Sequence, residues 1–94
     1  DFINIYDVIK YYEIFLKSNK LNGTFNIGSG TPITINKLAD FFTSLNKNIK
    51  KSYLPKKNGD ALSSFADMYK TYKKTNYKQS KKLKKTIIEL IKNA

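Results

Sequence analysis

Asn22-Gly23-Thr24-Phe25-Asn26-Ile27-Gly28-Ser29-Gly30-Thr31-Pro32-Ile33-Thr34-Ile35-Asn36-Lys37-Leu38-Ala39 places a turn, a β-prone run, a glycine loop and a helix start in close succession. Asn22-Gly23 is a turn signal, and the run that follows predicts a strand over Thr24 to Ile27. Gly28 and Gly30 free the backbone for tight bends. Pro32 and Thr34 then open a helix, with Thr34 as cap and Ile35, Leu38, Ala39, Phe42 and Leu45 on one face.

Outward from that stretch, Asp1 to Ile5 alternates apolar and polar side chains, the pattern of a strand. Asp7 can cap a helix whose apolar positions Val8, Tyr12, Phe15 and Leu16, flanked by Ile9 and Tyr11, recur at helical spacing and which stops near Ser18 to Gly23. Ile49 to Leu54 is a further β-prone run, broken by Pro55, and Lys56 to Ser64 contains Asn58-Gly59-Asp60, a loop by local rules. Asp67 predicts the cap of a third helix through about Lys74, and Leu83, Ile87, Leu90 and Ile91 mark a fourth. Short strands interleaved with about four helices define an α/β piece. No internal repeat or linker divides residues 1–94, which read as one domain with a loosely ordered Lys-rich segment over Lys78 to Lys85. Phe15, Phe25 and Phe42 are expected in its core.

Ninety-four residues suffice for one small domain of marginal stability. The first residue is Asp1 rather than Met, within an apparent strand, so the sequence is expected to be a fragment. No run of about 18 apolar residues is present, and the cytoplasm is the expected compartment. With no cysteine and no histidine, disulfides and thiolate or imidazole metal sites are excluded, and no metal site is expected. Chemistry would fall to Tyr, Lys, Ser, Thr or carboxylates. The net charge of +11 raises a Lys-rich nucleic-acid-binding module as an alternative. All 18 basic residues are Lys, however, so the bidentate guanidinium fork is absent. The heavy use of Lys, Asn, Ile, Tyr and Phe fits A/T-rich codons. Lys70, Lys73, Lys74, Lys78, Lys81, Lys82, Lys84 and Lys85 then read as a solvated face rather than one for nucleic acid or anionic lipid.

Gly28-x-Gly30 is not a dinucleotide fingerprint, because Ile33 stands where the third glycine is needed. Four Tyr-x-x-x-Lys spacings occur, at Tyr6/Lys10, Tyr53/Lys57, Tyr69/Lys73 and Tyr77/Lys81. Such a pair can put a phenol beside an ammonium for proton transfer. In a chain this rich in both residues the spacings are near chance, and no catalytic residue is assigned.

The quoted stretch resembles the "FNIGSG…PxSIxELA" segment in the carboxyl-terminal half of NAD-dependent nucleotide-sugar epimerases and dehydratases, the extended short-chain dehydrogenase/reductase family. The resemblance runs along the chain in order. Asp1-Phe2-Ile3-Asn4-Ile5-Tyr6-Asp7-Val8-Ile9 looks like "RDFIYVDDVV" without its Arg and with Tyr6 for the first Asp. Pro55-Lys56-Lys57-Asn58-Gly59-Asp60 through Asp67 is similar to "PxRxGDVxxTYAD", with Lys57 at the Arg. The tail from Tyr77 follows "YxPxxSLEEGLxxxIEW" loosely. The resemblance implies the substrate-binding portion of a nucleotide-sugar 4-epimerase, UDP-sugar type, with the Rossmann core missing. NAD and the Tyr/Lys catalytic pair would belong to the missing N-terminal half, and the whole enzyme would be a homodimer. Lys57 would contact a phosphate, Asp60 would accept hydrogen bonds from the nucleoside end, and Phe2 would border the nucleotide. The 94 residues alone are expected to be inactive, and an inactive fragment is the remaining alternative.

Overall fold

The computed structural model describes residues 1–93, which form four helices: α1 (Ile5–Lys17), α2 (Ile35–Leu45), α3 (Tyr69–Thr75) and α4 (Leu83–Lys92). Helix α1 starts where extended Asn4 turns its side-chain oxygen onto the Tyr6 amide at 2.8 Å. Asn4, not Asp7, is the cap. Its side-chain amide also donates to Thr86 Oγ1 of α4 at 2.8 Å, so one residue begins α1 and ties it to α4. Helix α2 opens at Thr34, whose hydroxyl accepts the Lys37 amide at 3.1 Å. Helix α3 is not capped by a side chain at Met68, but the Asp67 carboxylate accepts the Tyr69 amide at 3.1 Å, and Asn76 ends the helix in the left-handed conformation.

Among the described residues there is no strand, which overturns the α/β expectation. The β-prone run Thr24 to Ile27 forms no strand and has no strand partner among the described residues. Its polar groups go instead to α3 and to Asp67, two residues ahead of it: the Thr24 carbonyl accepts from Lys70 Nζ at 2.7 Å, the Asn26 carbonyl accepts from Thr71 Oγ1 at 2.6 Å, and Asn26 Nδ2 donates to the Asp67 carbonyl at 3.2 Å. Asp1 to Asn4 is consumed by side-chain contacts and the α1 cap, and Ile49 to Leu54 lies exposed. Strand propensity needs a neighbouring strand to be realised, and none of these runs finds one.

The core is small and mixed. Tyr11, Met68 and Ile87 are its buried apolar side chains, joined by Asn4, Asp7 and Thr71. Phe15, Phe25 and Phe42, expected in the core, are only half-buried. Phe15 and Phe25 pack with ring centroids 4.9 Å apart, and Lys70 Nζ lies 4.6 Å from the centre of the Phe25 ring. The inward stripe of α1 comprises Asp7 and Tyr11 below the Asn4 cap, while Ile5, Ile9, Tyr12 and Leu16 form the exposed stripe. Sequence periodicity marks both stripes as helical and does not say which one is covered. No α2 residue is buried, and an open apolar groove of about 350 Å³ lies between Leu38 and Phe41 of α2 and Leu83 and Ile87 of α4. The body measures 49 × 34 × 17 Å, with a radius of gyration of 16.2 Å. A compact domain of this length has about 12 Å. The excess reflects an open slab with few apolar contacts at its centre. No described helix is long and apolar enough to cross a membrane.

Candidate functional site

Lys57 and Asp60 occupy the two ends of one tight turn. The Asp60 amide donates to the Lys57 carbonyl at 3.3 Å, and Gly59 has φ +90° while Asn58 does not enter the positive-φ region. That is the sign pattern of a type II turn, in which glycine supplies the left-handed third position and the end Cα atoms lie within about 7 Å. Lys56 through Asp60 are all exposed, and nothing lies within 4 Å of the place a Gly59 Cβ would occupy. The turn therefore carries an ammonium side chain and a carboxylate side chain at its two ends, both exposed to solvent. Phe2 is also exposed, at 40 %, next to Asp1, and no hydrogen bond connects its segment to the turn among the described residues. The structure thus brings together Lys57 and Asp60, and does not join Phe2 to them.

The loop bearing this turn is anchored on both sides. Before it, Lys51 donates to Asp40 of α2 at 2.6 Å, and that bond holds the ammonium above its ordinary range. After it, Asp1 makes a four-donor clamp. Asp1 Oδ1 accepts from the Ser29 amide and hydroxyl, each at 2.7 Å, and Oδ2 accepts from the amides of Gly30 at 3.1 Å and Ala66 at 2.8 Å. The Asp1 main-chain nitrogen adds a 3.4 Å contact to the Ser64 carbonyl. Gly28 is required here by proximity: a Cβ would stand 2.8 Å from the Ala66 Cβ and 2.9 Å from Asp1 Oδ2. Beside the clamp, an open groove of about 560 Å³ runs between Asn26 to Gly28 and Ser64 to Asp67. The glycine-loop amides that could cradle a pyrophosphate are spent on Asp1, so this loop does not fit a dinucleotide.

A second carboxylate organises the segment that leads into α4. Asp7 is 1 % exposed and accepts from the Tyr77 hydroxyl at 2.6 Å, the Ser80 amide at 2.9 Å, the Ser80 hydroxyl at 3.2 Å and the Lys81 amide at 3.0 Å. Burial pushes its carboxyl up, but the bonds from Tyr77, Ser80 and Lys81 outweigh it and leave the group below the ordinary aspartate value. Tyr77 is raised in turn, first by donating to Asp7 and then by burial. Tyr11 meets Tyr77 edge-on at 5.1 Å and donates to its carbonyl at 2.9 Å. Burial, with smaller contributions from Tyr72, Tyr77 and Asp7, pushes the Tyr11 phenol up to about 12. Near the glycine loop, the Tyr72 hydroxyl and Gln79 Nε2 reach the Ser29 carbonyl at 3.1 and 2.6 Å.

None of the four Tyr-x-x-x-Lys spacings forms a phenol–ammonium hydrogen bond among the described residues. Lys73 Nζ lies 5.6 Å over the Tyr69 ring, Lys51 rather than Lys57 sits over Tyr53, and Tyr77 donates to Asp7 while Lys81 contributes its main-chain amide. Sequence reasoning gave Asp1 no role as an acceptor and read Asp7 only as a helix cap. Their signal was scarcity: two of only seven acidic residues fall within the first seven positions of a chain of net charge +11.

No family model matches the chain, and no solved structure matches it. It is 33 % identical over 79 residues to an uncharacterized protein, MJ1055, of Methanocaldococcus jannaschii, a match that covers 83 % of this chain and 24 % of that protein. The chain thus spans about a quarter of the length of the curated relative it matches.

Proposed function

We propose that this chain supplies the nucleoside-diphosphate grip of an NAD-dependent nucleotide-sugar 4-epimerase of UDP-sugar type. The observation that carries the reading is the Lys57–Asp60 turn. A cation and a hydrogen-bond acceptor sit at its ends, free of other side-chain hydrogen bonds among the described residues, at the positions where the sequence resembles the family's diphosphate-binding motif. A diphosphate is a compact, multiply charged handle, and Lys57 would meet it as a point charge. Asp60, acceptor only when ionised, would take donors of the sugar or base of the nucleoside. Binding energy gained at such a remote handle positions the reacting sugar for hydride transfer. It also leaves the sugar free to turn over between the two hydride transfers of an epimerisation. NAD, when bound elsewhere in the enzyme, supplies the hydride chemistry; this chain contributes binding and orientation.

The exposed apolar stripe of α1 supports a body completed by another surface, and the proposed complement is the nucleotide-binding half. The test is an assay of the protein expressed from its complete reading frame. Interconversion of UDP-glucose and UDP-galactose, or of the corresponding uronates, with NAD is expected, and no turnover from the 94 residues alone. Absence of epimerisation in the complete protein, together with tight, steeply salt-dependent binding of single-stranded nucleic acid, would replace this reading with the Lys-rich binding module.

A further inference from the structure

We infer that Asp1 is the positioning residue for the Lys57–Asp60 turn, an inference that rests on the reading of that turn as the diphosphate grip. Among the described residues the turn itself makes no hydrogen bond to the rest of the body: its side chains are exposed, and its internal bond is the Asp60 amide to the Lys57 carbonyl. Its location is set by where the loop enters and leaves the body. At the entry, the Lys51–Asp40 pair is a solvent-accessible contact of two long or mobile groups, and such pairs hold weakly. At the exit, the Asp1 carboxylate binds the Ala66 amide with the same oxygen that binds the Gly30 amide, and its other oxygen holds Ser29 twice. Charge-assisted bonds of this kind are short and strong. One carboxylate therefore welds the exit of the loop to the glycine bend. Ser29, at that bend, is held a third time through its carbonyl by Gln79. The chain from Ala66 runs directly through buried Met68 into α3, whose Thr71 is fully buried, so the exit is rigid from the clamp onward. Of the two anchors, Asp1 is the one whose removal changes where the loop can go.

The chemistry of Asn explains the choice of probe. Asp1→Asn keeps the size of the side chain but replaces one accepting oxygen with an NH2 group that faces N–H donors, so half of the clamp is lost. In the complete protein, Asp1→Asn should speed amide exchange at Gly30 and Ala66 about tenfold while leaving Ser80 and Lys81, held by Asp7, unchanged. It should weaken UDP about threefold to tenfold by calorimetry in the parent background. In a Lys57→Ala background it should cost distinctly less, because the phosphate contact it positions is already gone and only the Asp60 contact remains; this non-additivity is what a merely structural role would not produce. If Lys57→Ala weakens UDP and Asp1→Asn does not, or if Asp1→Asn weakens UDP equally in both backgrounds, the positioning role is overturned while the diphosphate grip stands. If Lys57→Ala leaves UDP binding unchanged, the grip itself falls and the positioning role with it. Should Asp1→Asn also lose protection at Ser80 and Lys81, Ser29→Ala, which deletes one clamp donor, enters the same cycle with the same two outcomes.

Discussion

The segment from Asn46 to Ser63 and the body around Asp1 and Asp7 show two ways for a chain with few apolar contacts to hold its shape. Among the described residues the body has three buried apolar side chains, yet two carboxylates each gather four hydrogen bonds, all of those to Asp7 and the Ala66 bond to Asp1 reaching across more than sixty positions of sequence. The loop carries Tyr53, Leu54 and Leu62 exposed at 74 to 89 %, and beyond the Lys51 contacts its order rests on two local turns, Asn46 to Ile49 and Lys57 to Asp60. The difference teaches that order here is located by buried acceptors rather than by apolar mass. A carboxylate in a low-dielectric setting is costly unless its acceptor sites are filled, and once filled it specifies one arrangement of the donors. The free residues are then those on the loop, where ligand-contacting side chains belong.

The contrast breaks most visibly at Asp7. Asp7→Ala removes the acceptor from Tyr77, Ser80 and Lys81 and should cost about 3 kcal/mol locally, since bonds to a charged group are strong and the donors are left unpaired. Amide exchange of Ser80, Lys81 and the first turn of α4 should accelerate about a hundredfold, with the 57–60 turn unaffected. A change smaller than fivefold would remove Asp7 from the framework. Acid titration probes the same group without a substitution. Its folded value lies below the ordinary 3.8, so its stabilisation is fully present above that value and is lost as pH falls below it through the folded value. Loosening of the 77–81 segment should begin below about pH 4, and Asp7→Asn should abolish that acid limb.

Local rules written in the sequence located the helices well. Thr34 caps α2, Asn58-Gly59 turns, the chain bends at Gly23 after Asn22, and the periodicity over Leu83 to Ile91 is helical, because each depends on residues within a few positions of one another. The strands were not legible, because pairing is a property of two segments, and Thr24 to Ile27 found the side chains of α3 instead of a neighbour strand. Asp7 looked like a cap and became a buried hub, since its partners lie seventy positions away in a stretch that reads as a solvated Lys run. Of the candidate site, the turn was legible from Asn58-Gly59-Asp60, whereas its anchorage through Asp1 depends on contacts that no local pattern encodes.

The smallest structural effect and the most direct functional one are expected at the same residue. Lys57→Ala touches only solvent, so the amide protection of the body should be unchanged. By calorimetry with UDP on the complete protein, Lys57→Ala should weaken binding about tenfold, the effect of losing one charge-assisted hydrogen bond of roughly 1.5 kcal/mol. Lys56→Ala, equally exposed and outside the turn, should match the parent. Equal dissociation constants for the parent, Lys56→Ala and Lys57→Ala would contradict the account and move the diphosphate grip away from this turn.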